Sequence, residues 1–262
     1  MLGHGNRKTS KTRPATGEYG GLHIYGPPGI HEDIFERVAH YLPKGSRIAD
    51  IGAGAGAFSM RLLDAGYEVA AFDLVPENFR LEGVRCVRCD LADEASMDSV
   101  ISGFRGYFDA VVSIEVIEHL TDPWRLVSFS GFLLRPGGYL FVSTPNVLNR
   151  LSRVYYLLKG RFFMFEFDYE AYLRGGMAFG GPRTGHVNPV TDPELEYIFK
   201  HSGFRTVETT PVSRIDFIEE IRNPHANLKA KMFLLGAMAI TLLIPMGRLK
   251  NSHCYLKIGV LE

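Results

Sequence analysis

Residues Arg47 to Asp73, RIADIGAGAGAFSMRLLDAGYEVAAFD, decide how the chain folds. Ile48, Ala49 and Ile51 make a short apolar run, and Gly52, Gly54 and Gly56 come next at alternate positions. Phe58, Leu62, Leu63 and Ala65 then recur at helical spacing, Gly66 breaks the helix, and Val69 to Phe72 form a second apolar run. The order is strand, glycine turn, helix, strand. Glycines let the main chain turn sharply and approach a ligand, and the helix after them offers unpaired N–H groups at its N-terminus. Asp73, closing the second strand, is placed to accept hydrogen bonds from the hydroxyls of a ribose. The stretch therefore predicts a cradle for an adenosine-containing cofactor.

Two cofactors fit these letters. Gly52, Gly54 and Ala57 satisfy G-x-G-x-x-A, with Asp73 at the distance expected for a dinucleotide such as NAD. With Asp50 included, the turn reads D-x-G-x-G-x-G and resembles motif I of class I S-adenosylmethionine (AdoMet) methyltransferases. A glycine-rich turn without any ligand is the third reading. Glycine spacing does not separate them, so the rest of the chain must.

The 262 residues, 46% of them hydrophobic, suffice for one substantial core: a single domain over 21–262, with elaborations. Lysine plus arginine equals aspartate plus glutamate, 29 each, so no global field favours nucleic acid, and none is expected as a partner. Arg7, Lys8, Lys11 and Arg13 sit among Gly, Ser, Thr and Pro, so residues 1–20 read as a disordered basic arm. It has no apolar h-region, so it does not read as a secretory signal. Three cysteines suit a reducing compartment, and a cytoplasmic location is expected. Cys86 and Cys89 form C-x-x-C on an expected strand, where they face opposite sides and do not converge on a metal.

Ile34, Phe35, Val38, Tyr41 and Leu42 trace one face of a helix from about His31 to Leu42, ahead of the first strand. After Asp73, strands are expected at Val84–Leu91, Phe108–Val116, Tyr139–Ser143, Thr206–Ile215 and Cys254–Leu261. Helices are expected at Glu94–Phe104, from Asp122-Pro123 to about Leu134, and after Thr191, with Arg135 to Gly138 a tight turn. Regular strand–helix alternation predicts an α/β fold: a doubly wound, mostly parallel, seven-stranded Rossmann-like sheet with helices on both faces. A cap insertion, about 146–190, comes after strand five and is rich in aromatics such as Tyr155, Tyr156 and Phe162 and in arginines such as Arg150, Arg153 and Arg161. A second insertion, about 216–250, precedes the last strand and contains the apolar segment 232–246 between Lys229, Lys231, Arg248 and Lys250. As a helix those residues span roughly 22 Å, short of the roughly 30 Å of a bilayer core. The segment reads either as a buried helix or as one that grips the substrate or lies on a membrane surface; the basic flanks favour the surface, which would make the protein peripheral on the inner face of the membrane.

The segment after the fourth strand separates the cofactors. Glu115-Val-Ile-Glu118-His119-Leu120 resembles the E-V-x-E-H-[LV] segment of class I methyltransferases, and Leu134 to Gly138 with Thr144-Pro145-Asn146 resembles their post-motif region. The resemblance covers residues 31–145 and, more loosely, 191–215 and 254–261. It favours AdoMet over NAD. It implies that Asp50, Gly52, Ala53 and Gly54 pass under the methionine part of AdoMet, that Asp73 with Leu74 holds the ribose, and that Asp90 and Leu91 meet the adenine. In the similar ubiquinone-pathway O-methyltransferases and small-RNA 2′-O-methyltransferases, E-x-x-E-H holds a divalent metal such as Mg2+. Glu115, Glu118 and His119, with His186 from the later Gly185-His186, are the corresponding ligands here. In other relatives the same letters carry no metal, and His119 packs at the strand end. Spaced i, i+3 and i+4, Glu115, Glu118 and His119 share a face if the segment opens a helix.

Methyl transfer from AdoMet needs alignment and an acceptor relieved of its proton. His119, His186 and Glu115 are the catalytic candidates, on the expectation that the two imidazoles converge. Both insertions crowd the ligand edge of the sheet. An aromatic, arginine-bearing cap beside an apolar segment suits a hydroxyl acceptor that is small or lipid-linked, such as a sugar, a polyprenyl compound or a quinone precursor. The alternatives are a non-catalytic AdoMet-fold binding module and an NAD-dependent oxidoreductase.

Overall fold

Among the described residues, nearly every apolar run becomes a strand of a single seven-stranded sheet or one face of a helix packed on it. The computed structural model describes residues 17–162, 165, 185–214 and 252–262, with six single positions (228, 231, 232, 235, 236 and 239) before the last segment. Most of the expected basic arm, much of the cap and nearly all of the 216–250 insertion lie outside the described residues.

A hairpin of β1 (Glu18–Tyr19) and β2 (Leu22–His23) leads to α1 (Ile30–Tyr41). The hairpin occupies the end of the stretch expected to be a disordered arm. Arg61 explains the anchoring: its guanidinium lies 4.1 Å from the Tyr19 ring centroid, and the Tyr19 hydroxyl donates to Asp64. Next in the chain come β3 (Arg47–Ile51), α2 (Ala57–Asp64), β4 (Glu68–Asp73), β5 (Cys86–Arg88) and α3 (Glu94–Phe104). The second half holds β6 (Phe108–Ile114), α4 (Pro123–Leu133), β7 (Leu134–Pro145), α5 (Arg150–Lys159), α6 (Asp192–His201), β8 (Phe204–Arg214) and β9 (Ser252–Leu261).

The sheet order is β5-β4-β3-β6-β7-β9-β8, parallel throughout except for β9, which runs antiparallel to both its neighbours. The parallel core with helices on both faces is the expected doubly wound arrangement. Alternation along the strands feeds two cores. Ala49, Ile51, Val111, Leu140 and Val142 face α3, α4 and α6, whereas Ile48, Ala110, Val112 and Phe141 face α1 and α2. Fully buried Leu62 shows the scale, since burying such a side chain stabilises by about 1.5–3 kcal/mol.

Helix boundaries obey their caps. Asp122 accepts from Trp124 N with Pro123 in the first turn, and Thr191 with Glu194 forms a full capping box. Three expectations need correction. The Arg135–Gly138 turn is absorbed into the start of β7, where the register with β6 shifts between Phe108 and Ala110. The third strand shrinks to Cys86–Arg88, leaving Asp90 and Leu91 in the turn beyond it, because Asp90 Oδ1 accepts from Ala92 N instead of continuing the ladder. β6 ends at Ile114, and the chain beyond it makes a single 3-10 turn, Ile117–His119, not the opening of a helix. Cys86 and Cys89 are free thiols whose pKa values burial pushes up to about 12, and neither belongs to a metal-holding group among the described residues.

Candidate active site

The C-terminal ends of β3, β4, β5 and β6 open into a cavity of about 570 Å³. That volume suits a small-molecule cofactor. Asp50, Gly52, Ala53 and Gly54 line it from the end of β3, Asp73 and Leu74 from β4, and Asp90 and Leu91 from beyond β5. All eight expected cofactor residues therefore meet in one cavity.

The turn needs its glycines. Gly52 has φ +78°, and a side chain there would collide with Val116. Gly54 has φ +53°, and an added Cβ would come within 2.9 Å of the Tyr25 ring. Asp73 is held by two backbone donors, Gly54 N at 2.9 Å and Val75 N at 2.8 Å, so its carboxylate is oriented before any ligand arrives. Asp50 is buried and accepts from Ser59 Oγ at 2.6 Å, and burial pushes its pKa up to about 6. A fixed carboxylate, a glycine turn free of side chains and a cavity of this size fit an adenosine cofactor.

The other wall comes from the β6 exit. Glu115 adopts φ +55°, which turns the chain sharply at the strand end. Its carboxylate accepts from Ser143 Oγ at 2.9 Å and from Cys254 Sγ at 3.0 Å. Glu118 is fully buried: Oε2 accepts from Thr144 Oγ1 at 3.1 Å, while buried Oε1 has no hydrogen-bond partner and lies 4.0 Å from His119 Nε2. The backbone carbonyl of Glu118 accepts from Val187 N and Asn188 N, tying the segment after His186 to this turn. His119 Nδ1 lies 3.4 Å from the Gly185 carbonyl, and the His119 and His186 ring centroids are 4.9 Å apart. The two imidazoles expected to converge do so. One ligand atom each from Glu118, His119 and His186 lies within 4.8 Å of the others.

Glu115 stands apart from that group. The expectation that Glu115, Glu118 and His119 share a helix face fails because no helix forms there, and the left-handed turn sends Glu115 towards Ser143 and Cys254. Glu115 and His119 line the cavity, whereas Glu118 and His186 do not. Burial raises the pKa of Glu115 to about 7 and that of Glu118 well above the usual carboxylate range, with the neighbouring Glu115 adding to the latter. Burial lowers that of His119, so the ring is neutral at pH 7.

Sequence reasoning missed other cavity residues. Tyr25 and His31 enter from the segment before β3, and Arg125 enters from α4 with Nη1 donating to Ala92 O at 2.9 Å. Two aromatic or imidazole rings flanking the start of α1 were the available signal, but the periodicity of α1 reports only its packing face.

A doubly wound sheet of order β5-β4-β3-β6-β7-β9-β8, with its cavity over the β3 glycine turn, defines a class I AdoMet-dependent methyltransferase. Comparison with known proteins agrees. The profile of the methyltransferase-domain family matches residues 28–209, and the chain belongs to that family. AdoMet, not NAD, is therefore the cofactor of the glycine turn. The chain is 39% identical over 129 residues to a ubiquinone biosynthesis O-methyltransferase of Xylella fastidiosa, covering 48% of this chain and 50% of that one. It is 28% identical over 163 residues to the enzyme of the same name from Ralstonia nicotianae, covering 58% and 67%. The match thus spans about half the length of several such relatives. Among solved structures, a SAM-dependent methyltransferase from Archaeoglobus fulgidus superposes with TM-score 0.56 at 19% identity, covering 88% of this chain and 94% of that one. Phosphoethanolamine N-methyltransferase 2 of Haemonchus contortus, in complex with AdoMet, gives 0.51 at 18% identity, with 88% and 52% covered. At such identities the likeness concerns the fold alone.

Proposed function

We propose that this protein transfers the methyl group of AdoMet to a hydroxyl oxygen of a small or lipid-linked acceptor, of the quinone-like, sugar or polyprenyl kind. The observation that carries the reading is His119: it lines the AdoMet cavity at the end of β6 and is backed by His186 and buried Glu118. The partial relatives named for ubiquinone O-methylation favour oxygen as the acceptor atom.

In this mechanism the Gly52–Gly54 turn and Asp73 fix the cofactor. The acceptor oxygen attacks the methyl carbon, the carbon–sulfur bond breaks, and its electron pair stays on sulfur as the neutral thioether. The hydroxyl proton passes to His119. With Nδ1–H directed at the Gly185 carbonyl, Nε2 keeps its lone pair and serves as the base. Buried Glu118 Oε1 flanks that nitrogen at 4.0 Å.

Glu118, His119 and His186 also fit a divalent metal, because Glu118 Oε1 is a buried oxygen without a hydrogen-bond partner and the three ligand atoms converge. One carboxylate with two imidazoles suits Mn2+, Fe2+ or Zn2+ better than Mg2+, which prefers oxygen ligands. When bound there, such an ion would lower the pKa of an acceptor hydroxyl. Glu115, engaged by Ser143 and Cys254, is left out of that set.

Among the described residues no helix is long and apolar enough to cross a membrane. Leu228, Met232 and Leu235, among the single described positions before β9, are exposed; a membrane-surface role for that insertion is part of the proposal. The decisive experiment incubates the protein with methyl-labelled AdoMet and catechol, lipid-linked sugar or polyprenyl acceptors. A product heavier by one CH2, labelled on oxygen, is expected. AdoMet binding without transfer to any hydroxyl acceptor would favour a non-catalytic binding module.

A further inference from the structure

Only Asn146 to Asn149 separate the end of β7 from α5. The connection is pinned in place: Asn146 Nδ2 donates to Ser252 Oγ at 3.1 Å, its Oδ1 accepts from Leu148 N at 3.1 Å, and Asn149 caps α5 by accepting from Ser152 N at 2.8 Å. Because β6 and β7 run parallel, with Ile114 opposite Ser143, α5 opens at the ligand edge beside the β6 exit that carries His119.

The charges at that end oppose the helix. No acid stands in its first turn, where acids are favoured. Arg150 and Arg153, at i and i+3, instead put two guanidinium groups on one face at the positive end of the helix dipole. Arg153 folds back over the helix start, its Nε donating to Leu148 O at 2.8 Å. Arg150 Nε is buried with no hydrogen-bond partner, and among the described residues neither arginine pairs with an acid. Ser152 is 1% exposed, and its Oγ also has no partner. Helical side chains tilt towards the N-terminus, so that hydroxyl belongs to the same end. Buried cations and hydroxyls are normally paired, and the group that satisfies all of these is an anion with several acceptor oxygens. Two guanidinium groups match the double charge and three free oxygens of a phosphate better than the single charge of a carboxylate. Further along α5, Tyr156, Leu157 and Leu158 are exposed, with the Tyr156 ring stacked on Phe162 at 4.7 Å. An exposed apolar run thus continues from the cationic end.

We propose that the start of α5 binds a phosphate group of a lipid-linked acceptor through Arg150, Arg153 and Ser152. The inference rests on the proposed methyl transfer to a hydroxyl and narrows its acceptor to one that carries phosphate, with its apolar chain along Tyr156, Leu157 and Leu158.

The test titrates farnesyl diphosphate, farnesol and inorganic pyrophosphate calorimetrically into the full-length wild type, Arg150→Gln and Ser152→Ala in metal-free buffer. The wild type is expected to bind farnesyl diphosphate at least about tenfold more tightly than either farnesol or pyrophosphate, since each lacks one half of the contact. Arg150→Gln should weaken farnesyl diphosphate about tenfold and Ser152→Ala about fivefold, with farnesol and AdoMet within about twofold of wild type. Equal binding of farnesyl diphosphate and farnesol overturns the phosphate site, and pyrophosphate binding as tight as that of farnesyl diphosphate overturns the lipid-linked ligand. If Arg150→Gln weakens attachment to phosphatidylglycerol vesicles but leaves farnesyl diphosphate unchanged, the phosphate is a membrane headgroup and the proposal falls. These outcomes leave the proposed function standing, because methyl transfer to catechol is read separately. Farnesyl diphosphate binding without methyl transfer to any hydroxyl acceptor overturns the function and, with it, the acceptor assignment. The wild-type ratios decide the matter even if a variant fails to fold.

Discussion

On the β3–β5 side of the cavity the lining groups come almost entirely from residues 50–91, whereas on the β6 side the lining Glu115 and His119 rest on contacts with residues 143, 185–186 and 254. The first wall is made of backbone: positive-φ glycines and an Asp73 held by two N–H donors. The second is made of side chains that meet only when β7, β9 and the segment after His186 are in place. Antiparallel β9 is the device that does this, since its pairing of Cys254 with Pro145 brings a thiol to the ligand edge beside Glu115. Binding of a shared cofactor can thus be encoded locally, while the chemistry of the acceptor is assembled from distant parts of the chain.

The largest effect should come from the acceptor side. His119→Gln is expected to reduce turnover by about 10²- to 10⁴-fold, the range for losing a positioned base, and Glu118→Gln to reduce it less, with AdoMet affinity of both within about twofold of wild type. The stability of Glu118→Gln at pH 8 should not fall. The folded pKa of Glu118 is raised, so ionisation above the ordinary carboxylate pKa disfavours the fold, and a neutral amide escapes that cost. A drop in AdoMet affinity matching the drop in turnover would erase the distinction between the walls.

On the cofactor side, Gly52→Val should weaken AdoMet binding by about 100-fold and destabilise by about 3 kcal/mol, since a branched side chain must adopt φ near +78° and displace Val116. Calorimetry and denaturant unfolding read the two quantities. Wild-type affinity in that variant would show that the turn does not depend on its backbone shape.

His31 gives the next effect, visible in stability against pH. Its folded pKa of about 3 lies below the ordinary histidine value, so the unfolded chain binds the extra proton between about pH 6.5 and 3. Stability from this group is therefore full above pH 6.5 and is lost as pH falls, by about 2 kcal/mol at pH 5. Asp50, with a raised pKa, contributes in the opposite sense, so the comparison is wild type against His31→Gln at pH 7 and 5. The wild type should lose about 2 kcal/mol more than the variant. Parallel curves would mean that His31 titrates normally.

The smallest effect is expected far from both walls. Lys257 on β9 is 1% exposed and pairs with Asp192 at 2.7 Å and Glu196 at 2.8 Å. Lys257→Met should change stability by less than about 1 kcal/mol, because Met fills the volume and the two carboxylates, 35% and 52% exposed, recover solvent. AdoMet affinity and turnover should stay at wild-type values. A large loss of turnover would tie α6 and β9 to the acceptor wall.

The legible parts share one property. Gly52, Gly54, Asp73 and the strand–helix alternation are short-range patterns, in which the residues that cooperate are close in sequence. Asp90 and Leu91 reach their expected place although their strand ends sooner than its apolar run, because a turn after a parallel strand arrives at the same edge. Glu115 departs from its expected place because helix spacing does not hold where a left-handed residue and a 3-10 turn occur, and nothing in the letters E-V-I-E-H distinguishes the two. Tyr25 and His31 carry no signal of their role in the sequence because they face the cavity only after α1 packs on α2.

By itself the sequence determined the doubly wound sheet, the cofactor turn and the pair of histidines, since hydrophobic period, glycine spacing and acid-ended strands arise from local sterics and burial. Tertiary structure alone decided that Glu118, not Glu115, joins His119 and His186, that Cys254 and Ser143 hold Glu115, and that His31 closes the cavity beside α1. Those contacts span up to 139 residues of chain, and their geometry depends on strand order and helix docking, which no short pattern carries.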